Sequence, residues 1–451
     1  DVGAAYAAFD RHSFGDFAPY IYKTADFGQT WTRISSPESG MRGFAHVIKE
    51  DPERPGLLYA GTEFGLWMSL DGGRRWAQFK GGDLPDVPVR DLAFQRRDHD
   101  LVIATHGRGI WIVDDLTPLR ALAAPILAQP LTFLPSRPAQ QRIEANGGWP
   151  GGDAQFVGDN PADGATIAYY EPGRHLFGKL KVEILDPSGR VVETLPASKR
   201  PGVNRVVWSM RAPAPSVPTA AQFAFFSAQG ARFVPAAYTA RLTSGATVLT
   251  TPVTVTLDRR ANFTLKDRQA QFDAAQRVSA LFGRETDLVA RINAVRKGAD
   301  ARAGALPGGD ALKAGLSDLS AKADTLRKEI VATKEGGAIT GEERLREYTD
   351  QLFGAITSYE GAPAVYQLAR IDVLSQQLAD IAVRFDKLSA GDLAARNRDL
   401  VGKNMAPIDV PAQAPAAAGA PGGGNPAKAL TGFAFSLRPT ATGSAAAAER
   451  D

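Results

Sequence analysis

Ser69-Leu70-Asp71-Gly72-Gly73-Arg74-Arg75-Trp76 is the stretch that decides how this chain is read. The same octet occurs earlier as Thr24-Ala25-Asp26-Phe27-Gly28-Gln29-Thr30-Trp31, with hydroxyl, carboxylate, glycine and tryptophan in matching places. The two copies lie about 45 residues apart, the length of one four-stranded propeller blade. Their flanks repeat as well: Tyr20-Ile21-Tyr22-Lys23 precedes the first and Gly65-Leu66-Trp67-Met68 the second. A worn third copy is Gly109-Ile110-Trp111-Ile112-Val113-Asp114-Asp115. The chemistry of the octet is local. An aspartate carboxylate accepts hydrogen bonds from N–H groups of its own turn, glycine permits a positive φ, and tryptophan packs between neighbouring sheets. Asp26, Gly28, Trp31, Asp71, Gly73 and Trp76 therefore read as structural residues rather than catalytic ones.

One blade can be followed outward from the second box. Strands are expected over 44–50, 57–61, 66–70 and 76–80, with the turn Asp51-Pro52-Glu53-Arg54-Pro55-Gly56 joining the first two. The next blade runs over 89–94, 101–105 and 110–113. A strand over 4–9 opens the chain, which starts with Asp1, so further blades of the same protein are expected N-terminal to it.

The pattern S/T-x-D-x-G-x-x-W at blade spacing resembles the Asp-box (BNR) repeat of sialidases, sortilin-type receptors and related propellers. Leu57-Leu58-Tyr59-Ala60-Gly61-Thr62-Glu63-Phe64-Gly65-Leu66 and Ala104-Thr105-His106-Gly107-Arg108-Gly109-Ile110-Trp111 are similar to segments of large bacterial Asp-box proteins, often labelled glycosyl hydrolase or sortilin-like. The resemblance implies an exported protein, extracellular or periplasmic, with the boxes on the face opposite the binding face.

Beyond residue 120 the composition changes. Residues 121–258 stay β-like. Leu180-Lys181-Val182-Glu183-Ile184-Leu185 alternates, and Asp186-Pro187-Ser188-Gly189 is a turn with proline second. Further strands are expected from 191, over 203–208 and 237–242, then 247–249 and 253–257 as two separate runs. The set resembles an immunoglobulin-like β-sandwich. Residues 263–402 switch to helical periodicity and read as an antiparallel helical bundle. Leu312, Leu316, Leu319, Ala323, Leu326 and Ile330 form one heptad stripe, Ile371, Leu374, Leu378, Ile381, Phe385 and Leu388 another, and Val278, Leu281, Leu288, Ile292 and Val295 mark an earlier helix. Thr264-Leu265-Lys266-Asp267 resembles a capping box, and Pro363 fits a first helical turn. Residues 403–451, dominated by alanine, proline and glycine, read as a low-complexity and mostly disordered tail. The fold class expected is thus multidomain, mainly β and then α: partial Asp-box propeller at 1–120, sandwich at 121–258, bundle at 263–402, tail at 403–451.

Several chemistries find no sequence support. The 451 residues contain no cysteine, so disulfides and thiolate chemistry are excluded. The net charge of +3 carries no run of five like charges, which argues against a nucleic-acid partner. No stretch is apolar for long enough to span a membrane as a helix. No H-x-x-x-H pair, clustered acidic loop, phosphate loop or G-x-S-x-G elbow occurs, so no metal ligands and no cofactor are expected. Gly147-Gly148-Trp149-Pro150-Gly151-Gly152 suits a surface loop.

The polar residues of interest fall at one place in the repeat. Arg11, His12 and Asp16 lie between the second and third strands of the first visible blade, Glu63 and Phe64 in that loop of the next, and His106 and Arg108 in that loop of the third. Loops of a propeller alternate between two faces, so these three share one. Arginine and histidine donate to hydroxyls or carboxylates, Asp16 and Glu63 accept, and Phe64 can stack on an apolar ring. The bland alternative is a set of hydrogen bonds bridging blades. His46, His99 and His175 read as isolated structural or solvent-facing residues. The function expected is glycan or peptide binding, with no residue assigned a catalytic role. The alternatives are a glycoside hydrolase whose catalytic residues lie mostly in other blades, and an interaction module that oligomerises through the bundle.

Overall fold

The structure is a computed structural model and describes residues 2–80, 84–143, 161–336 and 341–412. The Gly147–Gly152 stretch, Gly337 and the tail from residue 413 lie outside the described residues. The chain is mixed, with small sheets first and helices after them.

Ten strands form the first three sheets. These are β1 (Ala5–Phe9), β2 (Tyr20–Thr24) and β3 (Thr32–Arg33); β4 (Ala45–Glu50), β5 (Leu58–Thr62), β6 (Gly65–Ser69) and β7 (Ala77–Gln78); and β8 (Val89–Gln95), β9 (Asp100–Thr105) and β10 (Ile110–Val113). Each sheet is an antiparallel meander in chain order. Alternation along the strands gives each sheet two apolar faces, and the sheets stack through them. Ile21, Ala60, Trp67 and Trp76 fill the space between the first and second sheets. Val47, Tyr59, Leu66, Leu92, Leu101 and Ile103 fill that between the second and third. Below the stack, α1 (Thr117–Ala121) and α2 (Ala124–Leu127) follow β10. Leu116, Leu119 and Leu122 join the core there. Arg120 reaches back to the buried Asp51 at 3.0 Å and to Glu53 at 2.7 Å. His99 belongs to this group, 2.7 Å from Arg120 and 3.0 Å from Glu53, and is not isolated as its sequence setting had implied.

Eight further strands make two sheets around one core. β11 (Thr132–Leu134), β13 (Ala165–Glu171) and β16 (Gly202–Trp208) form one; β12 (Ala139–Gln141), β14 (Leu180–Leu185), β15 (Val191–Pro196), β17 (Ala237–Ser244) and β18 (Thr247–Leu257) form the other. Tyr169, Val206 and Trp208 of the first meet Val182, Ile184, Ala240 and Leu242 of the second. The two runs expected at 247–249 and 253–257 are one strand. Pro252 pairs with Thr239 on β17, while β12 borders β18 only at Val255–Leu257. Proline is tolerated there because β18 is an edge at that point. His175, also expected to stand alone, contacts Glu171 at 3.1 Å.

The helices are α3 (Leu265–Gly304), α4 (Ala311–Ile330), α5 (Leu345–Thr357), α6 (Val365–Leu388) and, after a π-turn at Ser389–Leu393, α7 (Ala394–Gly402). The heptad stripes read from the sequence are the buried faces of α3, α4 and α6. The capping box at the start of α3 forms: Asp267 N donates to Thr264 Oγ1 at 3.2 Å and Thr264 N donates to Asp267 Oδ2 at 2.8 Å. Pro363 lies just ahead of the N-cap Ala364 rather than inside the first turn, and Ala364 N donates to Gln367 Oε1. Residues 403–412, placed with the tail on composition, pack on the bundle. Ile408 is buried in its core, and Arg302 Nε donates to Ala406 O at 2.6 Å. No helix among the described residues is long and apolar enough to cross a membrane.

Candidate functional site

The two boxes form the turns their residues require. Asp26 accepts from Thr24 Oγ1 at 2.7 Å, Thr30 N at 2.9 Å and Thr30 Oγ1 at 2.6 Å. Hydrogen bonds from Thr30, first from its hydroxyl, hold the Asp26 carboxyl down to about 2. In the second box Asp71 accepts from Ser69 Oγ at 2.9 Å and Arg75 N at 3.0 Å. Gly73 N donates to Ser69 Oγ, and its φ of 94° sets it so near Ile34 that a Cβ would lie 2.8 Å from that side chain. Trp76 packs between the first two sheets and donates from Nε1 to Ile34 O at 2.8 Å. Trp31, expected to pack in the same way, is 45% exposed, because no described sheet lies beyond the first.

The three loops carrying the candidate residues follow β1, β5 and β9, each leading into the strand that precedes a box or its worn copy. Arg11 pairs with Asp16 at 3.7 Å and lies over the Tyr20 ring. Asp16 accepts from Tyr20 Oη at 2.7 Å and Ala18 N at 3.1 Å, and these bonds lower its pKa, the tyrosine's most. His12 stacks on Phe44, ring centroids 4.7 Å apart, with Nδ1 2.6 Å from Asp10 Oδ1. Phe64 is 54% exposed and rests on Gly43. Glu63 turns away from that surface toward His46 and Arg90. His106 and Arg108 are exposed, and their side chains have no hydrogen-bond or ion-pair partner among the described residues. Their loop is tied down by its backbone, His106 N donating to Pro88 O at 2.9 Å. The loops around Asp10–Asp16 and Glu63–Phe64 thus meet through Phe44 and His46, whereas the side chains of His106 and Arg108 make no hydrogen bond or ion pair with that cluster.

The residue at the centre is His46, which its sequence setting had marked as isolated. Its side chain is 5% exposed. Nε2 lies 3.1 Å from Glu63 Oε2, Arg90 Nη1 lies 3.1 Å from Nδ1, and Asp10 Oδ2 stands 3.8 Å from Nδ1. Arginine only donates, so Nδ1 accepts and Nε2 carries the proton toward the Glu63 carboxylate. Burial favours this neutral ring and lowers the His46 pKa, with the Glu63 hydrogen bond opposing. For Asp10, burial acts upward, but the backbone and side-chain hydrogen bonds from His12 outweigh it and the net shift is downward.

Backbone irregularity aims both partners. Pairing of β4 with β5 slips between Ala45 and Val47, and that of β8 with β9 slips between Val89 and Asp91. His46 and Arg90 are therefore the extra residues of two β-bulges at matching places in successive sheets. A bulge re-aims the extra side chain, and here the two re-aimed side chains meet. Asp10, His46, Arg90 and Phe44 were not among the residues singled out from the sequence. The one available signal was a histidine among buried neighbours, Ala45 and Val47, at the start of an inner strand.

No family model matches this sequence, and no curated protein does. Among solved structures, an ancestral GH74 enzyme is similar over 56% of this chain and 29% of its own, at 11% identity and a TM-score of 0.19. A mutant Salmonella alpha-2-macroglobulin is similar over 53% of this chain and 14% of its own, at 12% identity and a TM-score of 0.16. The chain spans less than a third of either structure, and TM-scores at this level do not amount to a shared fold.

Proposed function

We propose that the three stacked sheets are consecutive blades of an Asp-box propeller, and that the face bearing the Arg11–Asp16, Glu63–Phe64 and His106–Arg108 loops binds a glycan or a peptide. In this reading the two later sheets are an immunoglobulin-like sandwich, the helices a separate bundle, and the protein is exported. The observation that carries the binding function is the contrast at that face. Asp10, Glu63 and Arg90 are tied to His46, and the loops of that face carry exposed groups: the rings of Phe17 and Phe64 and the side chains of His106 and Arg108. Open rings stack on the apolar face of a sugar or a side chain, and free donors take its hydroxyls or carboxylates. A cluster that fixes the first two loops lowers the ordering cost of binding there. Mixed acceptors and donors suit such a ligand better than a phosphate backbone, which calls for cations.

The test is a glycan and peptide array on this chain, followed by titration of the best ligand against Arg108→Ala and Phe64→Ala. Each variant is expected to weaken binding by about tenfold or more, the loss of one charged hydrogen bond or one stacked ring. Unchanged affinity in both would leave the loops as connections only.

A second reading, glycoside hydrolysis, is favoured by one feature. Asp10 and Glu63, two carboxylates from different loops, both contact His46, and a glycosidase needs two carboxyl groups at one site. Release of product from an aryl glycoside, lost in Glu63→Gln while binding persists, would put this reading ahead of the first.

A further inference from the structure

Arg174-His175-Leu176-Phe177-Gly178-Lys179 lies in the connection from β13 to β14 and sets two large apolar side chains between two cations. Phe177 is 87% and Leu176 67% exposed. A single apolar side chain in water needs no explanation. Two adjacent ones at the tip of a connection acquire a meaning from what the strand register places around them. Glu171 pairs with Gly202, Lys181 with Pro196 and Leu180 with Ser244. The connections 172–179, 197–201 and 245–246 therefore leave the two sheets at one end. Segment 128–131 enters at that same end, because Thr132 pairs with Tyr170.

The charge at this end has one sign. Arg174, Lys179, Lys199 and Arg200 are all exposed, and the four segments contain no aspartate or glutamate. Glu171, which ends β13, is buried and is engaged by His175 at 3.1 Å. Lys199 Nζ donates to a carbonyl, Gly178 O at 2.9 Å, and not to an acid. The same contact ties the two longer connections together, with His175 N donating to Lys199 O at 3.2 Å. Asn204 Nδ2 donates to Arg200 O at 2.8 Å, and Tyr169 Oη donates to Ser198 O. The apolar tip and the cations thus belong to one fixed unit, which leaves little ordering to be done on binding.

From this juxtaposition we infer that this end of the two sheets docks on the surface of an anionic lipid bilayer, with Leu176 and Phe177 entering the headgroup layer and Arg174, Lys179, Lys199 and Arg200 facing the lipid phosphates. Peripheral binding of this kind needs both components, apolar side chains that leave water and cations drawn to anionic headgroups. A polyanion such as a nucleic acid or an acidic polysaccharide would be held by the cations and would leave Leu176 and Phe177 in water. A neutral protein partner would cover the pair and leave four like charges unmatched. The inference depends neither on the blade reading nor on the ligand proposed above.

The experiment is co-sedimentation of the chain with vesicles of mixed phosphatidylglycerol and phosphatidylcholine, against vesicles of phosphatidylcholine alone. The chain is expected to sediment with the first and not with the second, and less so as salt screens the attraction. Three variants divide the contributions, each checked by far-UV circular dichroism and melting, which should match the parent because only exposed residues change. Leu176→Ser with Phe177→Ser should weaken partitioning by about tenfold or more, the loss of two buried apolar side chains. Arg174→Gln, Lys179→Gln and Arg200→Gln together should weaken it on the order of a hundredfold, since each cation near an anionic surface contributes about fivefold. Arg259→Gln, Lys266→Gln and Arg398→Gln remove the same charge from exposed positions on other segments and should bind as the parent does. No sedimentation with the anionic vesicles overturns the inference, as does equal sedimentation with both kinds. Equal loss in the two charge variants would reduce the effect to net charge and overturn it too. So would parent-like binding by the Leu176 and Phe177 variant, which would mark a polyanion site in place of a bilayer contact.

Discussion

Glu285 should make the helical part of this protein lose stability as the pH rises from acid to mildly alkaline. The side chain lies on α3 with no solvent exposure, and burial pushes its pKa from 4.5 up to about 8. Hydrogen counting gives the same answer independently. Thr349 Oγ1 lies 2.7 Å from Glu285 Oε1 and 2.9 Å from Leu345 O. The hydroxyl owns one proton. A carboxylate and a carbonyl would compete for it, whereas a protonated Glu285 donates to Oγ1 and leaves the threonine proton for Leu345 O. The other carboxyl oxygen, Oε2, is buried without a partner, a further penalty on the charged form. Because the folded pKa is raised, the unfolded chain releases the proton first. The stabilisation is complete below about pH 4.5, declines as pH rises, and is exhausted once pH passes about 8. A shift of this size is worth on the order of 4–5 kcal/mol across that window. Urea unfolding followed by far-UV circular dichroism at pH 5, 6.5 and 8 measures it, with Glu285→Gln as the comparison. The glutamine can donate to Thr349 and does not titrate, so its stability should change far less with pH than that of the parent. Parallel pH profiles for parent and variant would refute the argument that Glu285 is folded in its protonated form.

Asp71→Ala removes two hydrogen bonds inside one turn and should cost about 1–2 kcal/mol in chemical denaturation while leaving ligand affinity unchanged below the transition; lost affinity at unchanged stability would contradict a structural box. The lowered pKa of Asp26 predicts that the first box holds above the normal carboxylate range and weakens as pH falls toward about 2, visible as acid-sensitive melting that is absent in Asp26→Asn. Ile408→Ala should lower the stability of the bundle by about 2–4 kcal/mol, because the side chain fills its core. By the same contact, a fragment covering 263–412 should be helical by circular dichroism and more stable than one ending at 402; equal melting of the two would show that 403–412 contributes nothing.

What was legible in the sequence has short-range causes. The boxes could be read because the side-chain hydrogen bonds of Thr24, Asp26, Ser69 and Asp71 that shape their turns span at most four residues, Thr24 to Gly28 and Asp26 to Thr30 among them. The stripes of α3, α4 and α6 could be read because burial on a helix imposes a period on the chain itself. Helix α5 gave no such stripe. Its buried face includes Arg346, Glu347, Thr349 and Asp350, held by partners such as Ser227 and Glu285, distant in sequence. The site divides in the same way. That three loops with polar residues occupy equivalent places follows from the repeat. The pairing of His46 with Arg90 does not, since it requires two β-bulges, and a bulge exists only in the register of one strand against another. Trp31 and Trp76 mark the boundary between the two kinds of information. The sequence assigns both the same place in the same turn, because local geometry depends on local residues. Only the tertiary structure decides that one is buried and the other exposed, because burial depends on which sheet packs against the turn.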